Sequence, residues 1–454
     1  MSRIIHFCLA TLIGFSSYAQ TWSPTLDLFF EKEAAKLNIP NLEVQVFTKD
    51  SILYQRSLGN SSPQSGYFVG SVSKSLTAFG ILRLVDQGKL GLEHKLSELI
   101  PGLSFQVDQN KITIRHLLNH TSGIRKIDGF KRLPSLDQVN QNGHHIHNEP
   151  LEPLRHQYSN LNYALLGLVI EQVSGLSFGQ YMEQEVFIPL GMTNSRIGTR
   201  DELSPYLISH YQYWGPFPVK SPQVDYASTH IPAGFISCSS EDLRQYLALQ
   251  LGSGIFKQDT LLSSVLLKDM HRPWDGTEIG YAMGWKRGNF QGETIYQHLG
   301  STANSYSGIF FFPEKGVGVV FLTNSNSLSF TENLMEGTLN IIMGAQGQAV
   351  SSSEWYLRVG ILIGYAWVFI SFIHGLTKLA KGNSSKKKRR AWMDIGIYLA
   401  IIAAIAVLFP ILAQIPYIKF VQLQPDLGVL MAIGLIFPLL LSIIRAMRKH
   451  PNKH

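Results

Sequence analysis

Cysteine is almost missing from these 454 residues: Cys8 and Cys238 are the only two. Cys8 falls in a leader that processing removes, so no intrachain disulfide can form in the mature chain and its outer region must be held by an apolar core. Internal repeats and low-complexity tracts are missing too, which argues against a repeat array. A general surplus of positive charge is also absent once the chain is divided. The formal net charge is +7, but residues after 354 carry 13 Lys and Arg against Asp394 and Asp426, leaving 26 basic and 30 acidic residues elsewhere. Basicity therefore belongs to one end, and no basic face remains for phosphates, which excludes a nucleic-acid partner. Complete metal-ligand spacings are likewise lacking. His144, His145, His147 and Glu149 crowd one stretch without the follow-up acids and histidines of a metallo-hydrolase, so they read as a polar loop near the rim of a site, with no metal and no cofactor.

What is abundant is apolar sequence at the two ends. Met1-Ser2-Arg3 is a positive start, Ile4 to Phe15 an apolar stretch and Ser17-Tyr18-Ala19 a small-residue cleavage site. That is the pattern of a secretory signal over residues 1–19, with Gln20 opening the mature chain. The apolar run falls short of the roughly 20 residues that span a bilayer, which sets it apart from the alternative of an uncleaved anchor helix. At the other end, runs near 355–375, 393–415 and 427–444 are each long enough to cross a hydrocarbon core about 30 Å thick. Trp355, Tyr356, Trp392 and Tyr417 stand near their edges, where amphipathic rings favour the headgroup layer. Three transmembrane helices are expected over 351–454; the alternative, buried helices of a soluble domain, would leave that tail little polar surface.

Charge sets the orientation. The loop after the first run holds Lys378, Lys381, Lys386, Lys387, Lys388, Arg389 and Arg390, and the tail adds Arg445, Arg448, Lys449 and Lys453, whereas the loop between the second and third runs has Lys419 alone. The basic segments belong inside, which places residues 20–350 outside, as the signal also demands. The expectation is a bacterial cytoplasmic (inner) membrane protein with a periplasmic domain and a cytoplasmic C-terminus. One helix would suffice as an anchor, so the other two suggest lipid contact or a protein partner whose identity the sequence leaves open.

Within 20–350, residues 42–48 alternate apolar and polar as a strand and can pair with 52–57 across Lys49-Asp50-Ser51. From Ser71 to Gln87 the period turns helical, with Leu76, Phe79, Leu82 and Val85 on one face and Gly88 as the stop. Helical segments dominate from 90 to 250, including 161–174 and 240–251; strands return at 293–298, 307–312 and 317–323, and a helix closes the region at about 331–343. The order predicts an α/β (α+β) domain: an antiparallel sheet assembled from both ends of the region, flanked by helices, with a helical subdomain inserted between.

Three short motifs carry the chemistry: Ser71-Val72-Ser73-Lys74, Tyr158-Ser159-Asn160 and His298-Leu299-Gly300. Ser71 at the mouth of a helix and Lys74 one turn on lie on the same side, so an amine can reach the hydroxyl. A serine hydroxyl attacks poorly until its proton is taken, and a desolvated lysine can be neutral enough to take it. Ser-X-X-Lys alone says little, since it recurs at Ser384 to Lys387 and Ser385 to Lys388 in the basic loop. Singly, Tyr158 reads as an interface tyrosine and His298 as a polar strand residue; jointly the three supply a nucleophile, two candidate bases and a hydrogen-bonding edge.

In this order the motifs resemble the serine β-lactamase and penicillin-binding protein superfamily, especially class C β-lactamases and the DD-peptidases with a His-X-Gly third element. The likeness extends over Phe68 to Ala78, Ile112 to Ile124, Tyr163-Ala164-Leu165-Leu166-Gly167 and Pro232-Ala233-Gly234-Phe235, and covers roughly residues 25–345. The resemblance implies that Ser71 is acylated, that Lys74 assists its deprotonation and that Tyr158 is the general base for acylation and for the deacylating water. Asn160 would orient the substrate amide or Lys74, His298 would steer the leaving group or the tyrosine proton, and Gly300 would line the substrate-binding and oxyanion edge with Asn160 and Ser301. The backbone N–H groups of Ser71 and Ser301 would form the oxyanion hole, while His120 would be scaffold. Leu299 departs from the family, whose relatives commonly offer threonine there to a β-lactam or D-alanine carboxylate; leucine cannot donate that bond, although Ser301 or Ser305 can stand in. Three functions are compatible: a membrane-tethered serine hydrolase of peptide amides or β-lactams, an esterase or D-amino-acid amidase on the same fold, and a non-catalytic acyl-site sensor. The substrate is a small-molecule or peptide amide or ester in the first two.

Overall fold

The computed structural model describes residues 22–36, 38–108, 110–221, 225–326, 330–345, 353–380, 392–399, 401–402 and 416–447. It divides into two compact units, Met1–Tyr211 with Lys220–Val350 and Gln212–Val219 with Ser351–His454. The expected signal at 1–19 lies outside the described residues.

The first unit is built on a seven-stranded sheet. In chain order the principal strands are β1 (Leu42–Thr48), β2 (Ile52–Leu58), β3 (Gly280–Ala282), β4 (Trp285–Phe290), β5 (Glu293–Ser301), β6 (Tyr306–Phe312) and β7 (Val317–Thr323). Their spatial order is β3-β4-β5-β6-β7-β1-β2, every pair antiparallel. The two ends of the region thus meet where β1 lies along β7, Val44 opposite Phe321. The principal helices are α1 (residues 22–36), α2 (Ser73–Asp86), α3 (Asn160–Ser174), α4 (Ser240–Leu251) and α5 (Phe330–Ile342).

Alternation in β1 predicts one wet face, yet all but its last residue are buried. The strand is internal and covered twice. On one face Tyr54, opposite Val46, stacks on Phe30 of α1 with ring centres 6.3 Å apart. On the other, Gln45 Nε2 donates to Ser240 Oγ of α4 at 2.8 Å. Glu43 there is held by Ser57 Oγ at 3.0 Å, and burial raises its carboxyl above the usual range.

The helical period of α2 is real but incomplete as a description, because the helix is buried on all sides from Ser73 to Leu82. Leu76, Phe79 and Leu82 are fully buried, each contributing about 2 kcal/mol by area. The opposite side is polar and satisfied: Ser73 Oγ accepts the Ile236 N–H (3.1 Å), Ser75 Oγ meets Tyr246 Oη (2.8 Å) and Thr77 Oγ1 donates to the Pro232 carbonyl (2.8 Å). A helix with no solvent face fixes whatever stands at its first turn. β3, β4 and α1 are not foreseen from sequence. β3 and β4 flank a tight Met283-Gly284 turn and lack a clear alternation of apolar residues.

In the second unit, helices α6 (Ser353–Ala380), α7 (Tyr417–Leu423) and α8 (Pro425–Met447) are described. Val359–Thr377 and Pro425–Met447 are long and apolar enough to cross a membrane, and correspond to the first and third expected spans. The rings of Phe372 and Phe437 meet at 4.4 Å between α6 and α8. Trp367, Phe369 and Ile370 are exposed on α6. Of the second expected span, 393–415, residues through 399 and 401–402 are helical, and the rest lies outside the described residues.

Candidate active site

Ser71 stands in the 3₁₀ turn Gly70–Val72 that leads into α2. Gly70 has φ +52°, and a Cβ on it would run into the Ser301 nitrogen and Gly300. A Cβ on Gly300 would strike the Val69 carbonyl and Ser307 Oγ. Two glycines therefore let the end of β5 lie against the nucleophile turn, so the backbones of Ser71 and Ser301 come together. Hydroxyls pin the junction: Ser305 Oγ donates to the Phe68 carbonyl and Ser307 Oγ to the Val69 carbonyl, each at 2.7 Å.

Lys74 is fully buried. Its Nζ lies 3.0 Å from Ser71 Oγ, 2.8 Å from Asn160 Oδ1 and 2.5 Å from the Ala233 carbonyl. Burial with no carboxylate beside it drives the amine well below its ordinary pKa. The geometry suits the neutral form. Asn160 Oδ1 and the Ala233 carbonyl can only accept, so they take the two N–H bonds of an amine and leave its lone pair facing the Ser71 hydroxyl.

Tyr158 is the third member. Its hydroxyl hydrogen-bonds Ser71, and its ring lies 4.9 Å from Lys74 Nζ. Burial pushes the phenol up, against the smaller effect of Ser71, so burial favours amine and phenol over ammonium and phenolate. Asn160 opens α3 and serves Lys74, one of the two roles expected of it.

His298 is buried on β5, opposite Ile309. Its Nδ1 lies 2.9 Å from the Leu299 carbonyl and its Nε2 3.3 Å from Tyr281 Oη. Burial, then the nearby Lys74, push it down to about 3, so the ring is neutral with its proton on Nδ1. His120 is wholly buried with Nδ1 accepting from the Ser159 N–H (3.2 Å) and Asn162 Nδ2 (2.9 Å), and its ring lies 4.3 Å from that of Tyr158. The motif residues Ser71, Lys74, Tyr158, Asn160, His298, Gly300 and Ser301 thus converge. Sequence reading misses Tyr281 of β3 and gives no role to the Ala233 carbonyl, although Pro232-Ala233-Gly234-Phe235 stands among the matching segments.

His144–Ile146 is a short strand parallel to Leu103–Phe105, with His145 Nδ1 3.0 Å from Ser104 Oγ. Among the described residues no group of three or more His, Cys, Asp or Glu is placed to hold a metal.

The β-lactamase family model matches residues 26–336. Protein flp of Staphylococcus aureus (strain MRSA252) is 29% identical over 331 residues, 66% of this chain and 63% of its own, so the chain spans under two thirds of that relative's length. Penicillin-binding protein 4* of Bacillus subtilis (strain 168) is 35% identical over 189 residues, 37% of this chain and 40% of its own. Among solved structures, the octameric penicillin-binding protein homologue from Pyrococcus abyssi superposes with a TM-score of 0.58 at 24% identity, covering 75% of this chain and 81% of its own. A D-stereospecific amidohydrolase from Streptomyces sp. gives 0.55 at 22% identity, covering 68% and 97%. At these identities the two structures establish a shared fold.

Proposed function

From the premise that this chain belongs to the β-lactamase family, we propose that it is a membrane-tethered, extracytoplasmic serine hydrolase that forms an acyl-enzyme on Ser71. The observation that carries the reading is the Lys74 amine, buried and held between Asn160 and Ala233 with Ser71 Oγ at 3.0 Å. Lys74 takes the Ser71 proton as Oγ bonds to the carbonyl carbon of an ester or amide. The carbonyl oxygen becomes an oxyanion facing the backbone N–H groups of Ser71 and Ser301, each contributing about 3 kcal/mol to the transition state. As the tetrahedral intermediate collapses, the bond to the leaving group breaks and a proton reaches that group from the Tyr158 hydroxyl, which Lys74 re-protonates. Water then repeats the sequence against the ester, and Ser71 recovers its proton. Giving Lys74 the base role and Tyr158 the relay departs from the assignment the family resemblance implies, because burial moves their two pKa values in opposite directions from those needed for a phenolate.

The tether reading rests on the apolar helices and the cationic loops that flank them. Leu299 supports the second reading, an esterase or D-amino-acid amidase, because it offers no hydroxyl to a carboxylate. A labelled fluorophosphonate or penicillin tests both: a fluorophosphonate adduct that Ser71→Ala abolishes is expected, penicillin labelling would favour the β-lactam or peptidase branch, and labelling by neither would refute the proposal.

A further inference from the structure

We infer that the edge of the site formed by His298 and Leu299 accepts acyl donors with no carboxylate beside the scissile bond, neutral esters and capped amides, and that Tyr281 is a positioning residue whose contact at Nε2 adds to burial in keeping this edge neutral. The inference rests on the acyl-enzyme reading and adds the substrate class.

Recognising a carboxylate takes a cation or several convergent donors. Both nitrogens of His298 are already occupied, Nδ1 by the Leu299 carbonyl and Nε2 by Tyr281 Oη. The proton in the second contact belongs to Tyr281. With Nδ1 facing a carbonyl, neutral imidazole can only accept at Nε2. Tyr163 spends its own proton on the Leu118 carbonyl at 2.9 Å and gives none to Tyr281, whose single proton is shared between His298 Nε2 and the Tyr163 oxygen. Tyr281 is held by rings on three sides, 4.9 Å from His120, 5.2 Å from His156 and 6.1 Å from Tyr158.

The neighbouring hydroxyls are spent in the same way. Ser305 donates to Phe68 and Ser307 to Val69, while Thr302 Oγ1 bonds Ser305 Oγ at 2.7 Å. The expectation that Ser305 substitutes for the missing threonine therefore fails on geometry. Ser301 is exposed and its Oγ accepts from Asn326 Nδ2 at 2.7 Å, keeping a proton to give. One neutral donor suits an ester or amide oxygen but is little against a full negative charge leaving water. Lys74 is the one ionisable side chain among the described residues whose field registers at His298, and it is buried and committed to Ser71, Asn160 and Ala233.

The experiment uses the full chain in detergent micelles. A D-alanyl ester substrate ending in a free carboxylate is compared with its methyl-capped twin by kcat/KM, with fluorophosphonate labelling of Ser71 run in parallel. The capped twin is expected to win by about tenfold or more, chiefly through KM, the worth of about one charge-assisted hydrogen bond. Leu299→Thr should narrow the ratio. Tyr281→Phe removes the donor that favours neutral His298, raises the imidazole pKa and so makes the ratio fall as pH is lowered; a merely structural tyrosine would slow both twins equally at every pH. Equal or better turnover of the free acid with Ser71 labelled overturns this inference alone. No labelling and no turnover overturn the acyl-enzyme reading and this inference with it.

Discussion

Gly70→Ala is the sharpest single perturbation of the catalytic geometry. The residue sits at φ +52° with the Ser301 nitrogen and Gly300 in the space a Cβ would fill. A left-handed alanine costs about 1 kcal/mol in backbone strain, and displacing the Ser301 and Gly300 backbone adds to that, within the 5–15 kcal/mol by which domains are typically stable. The overlap is with backbone, so it is relieved by the end of β5 moving off the nucleophile turn. That motion carries the Ser301 N–H away from where the oxyanion forms, and losing one such donor costs on the order of 100-fold to 1000-fold in kcat. The variant should therefore keep its fold, with Tm lowered by a few degrees, yet lose about two orders of magnitude in turnover of a p-nitrophenyl ester. Turnover within threefold of the parent, in a folded variant, would refute the pairing of Ser71 with Ser301.

Four further outcomes are expected. Lys74→Met should cut the rate of fluorophosphonate labelling by about 100-fold or more, the usual worth of a positioned base, as read by gel fluorescence. In the parent, labelling should fall as pH drops through the Lys74 pKa, which burial sets well below 10.5, because the amine is the active form; a pH-independent rate would contradict the base role. His298 and His210, buried and pushed down to about 3 and about 4, bind fewer protons folded than unfolded, so stability should be intact above about pH 6.5 and drop as pH falls toward 4, by up to about 1.4 kcal/mol per pH unit for each. Thermal melts of the parent and His210→Gln check the slope, which should be shallower in the variant. Protease added outside intact spheroplasts should digest residues 20–350 and spare epitopes beside Lys386–Arg390; the reverse would invert the topology.

The parts legible in sequence were those with local periodicity or local chemistry. β1, β2, β5, β6, β7, α2 to α5 and the spans in α6 and α8 all announce themselves by alternation, helical spacing or length. The joining of β1 to β7 followed from the order of elements along the chain. β3 and β4 did not announce themselves, because they are short and built around a glycine turn. Tyr281 was missed with them: its importance lies in a contact with His298 that only the sheet order creates. The double burial of β1 was also hidden, since Glu43 and Gln45 read as a wet face until Ser57 and Ser240 are brought over them. At the site, the motifs named the residues but not their protonation. That depends on how completely Lys74, Tyr158 and His298 are taken from water, a property of the packed fold.

Trapping the covalent intermediate tests the central claim most directly. Full-length protein mixed with an activated ester, acid-quenched within its first turnover and digested for mass spectrometry should carry the acyl group on the peptide containing Ser71, with the adduct absent in Ser71→Ala. An adduct on another residue, or turnover that persists in Ser71→Ala, would contradict it.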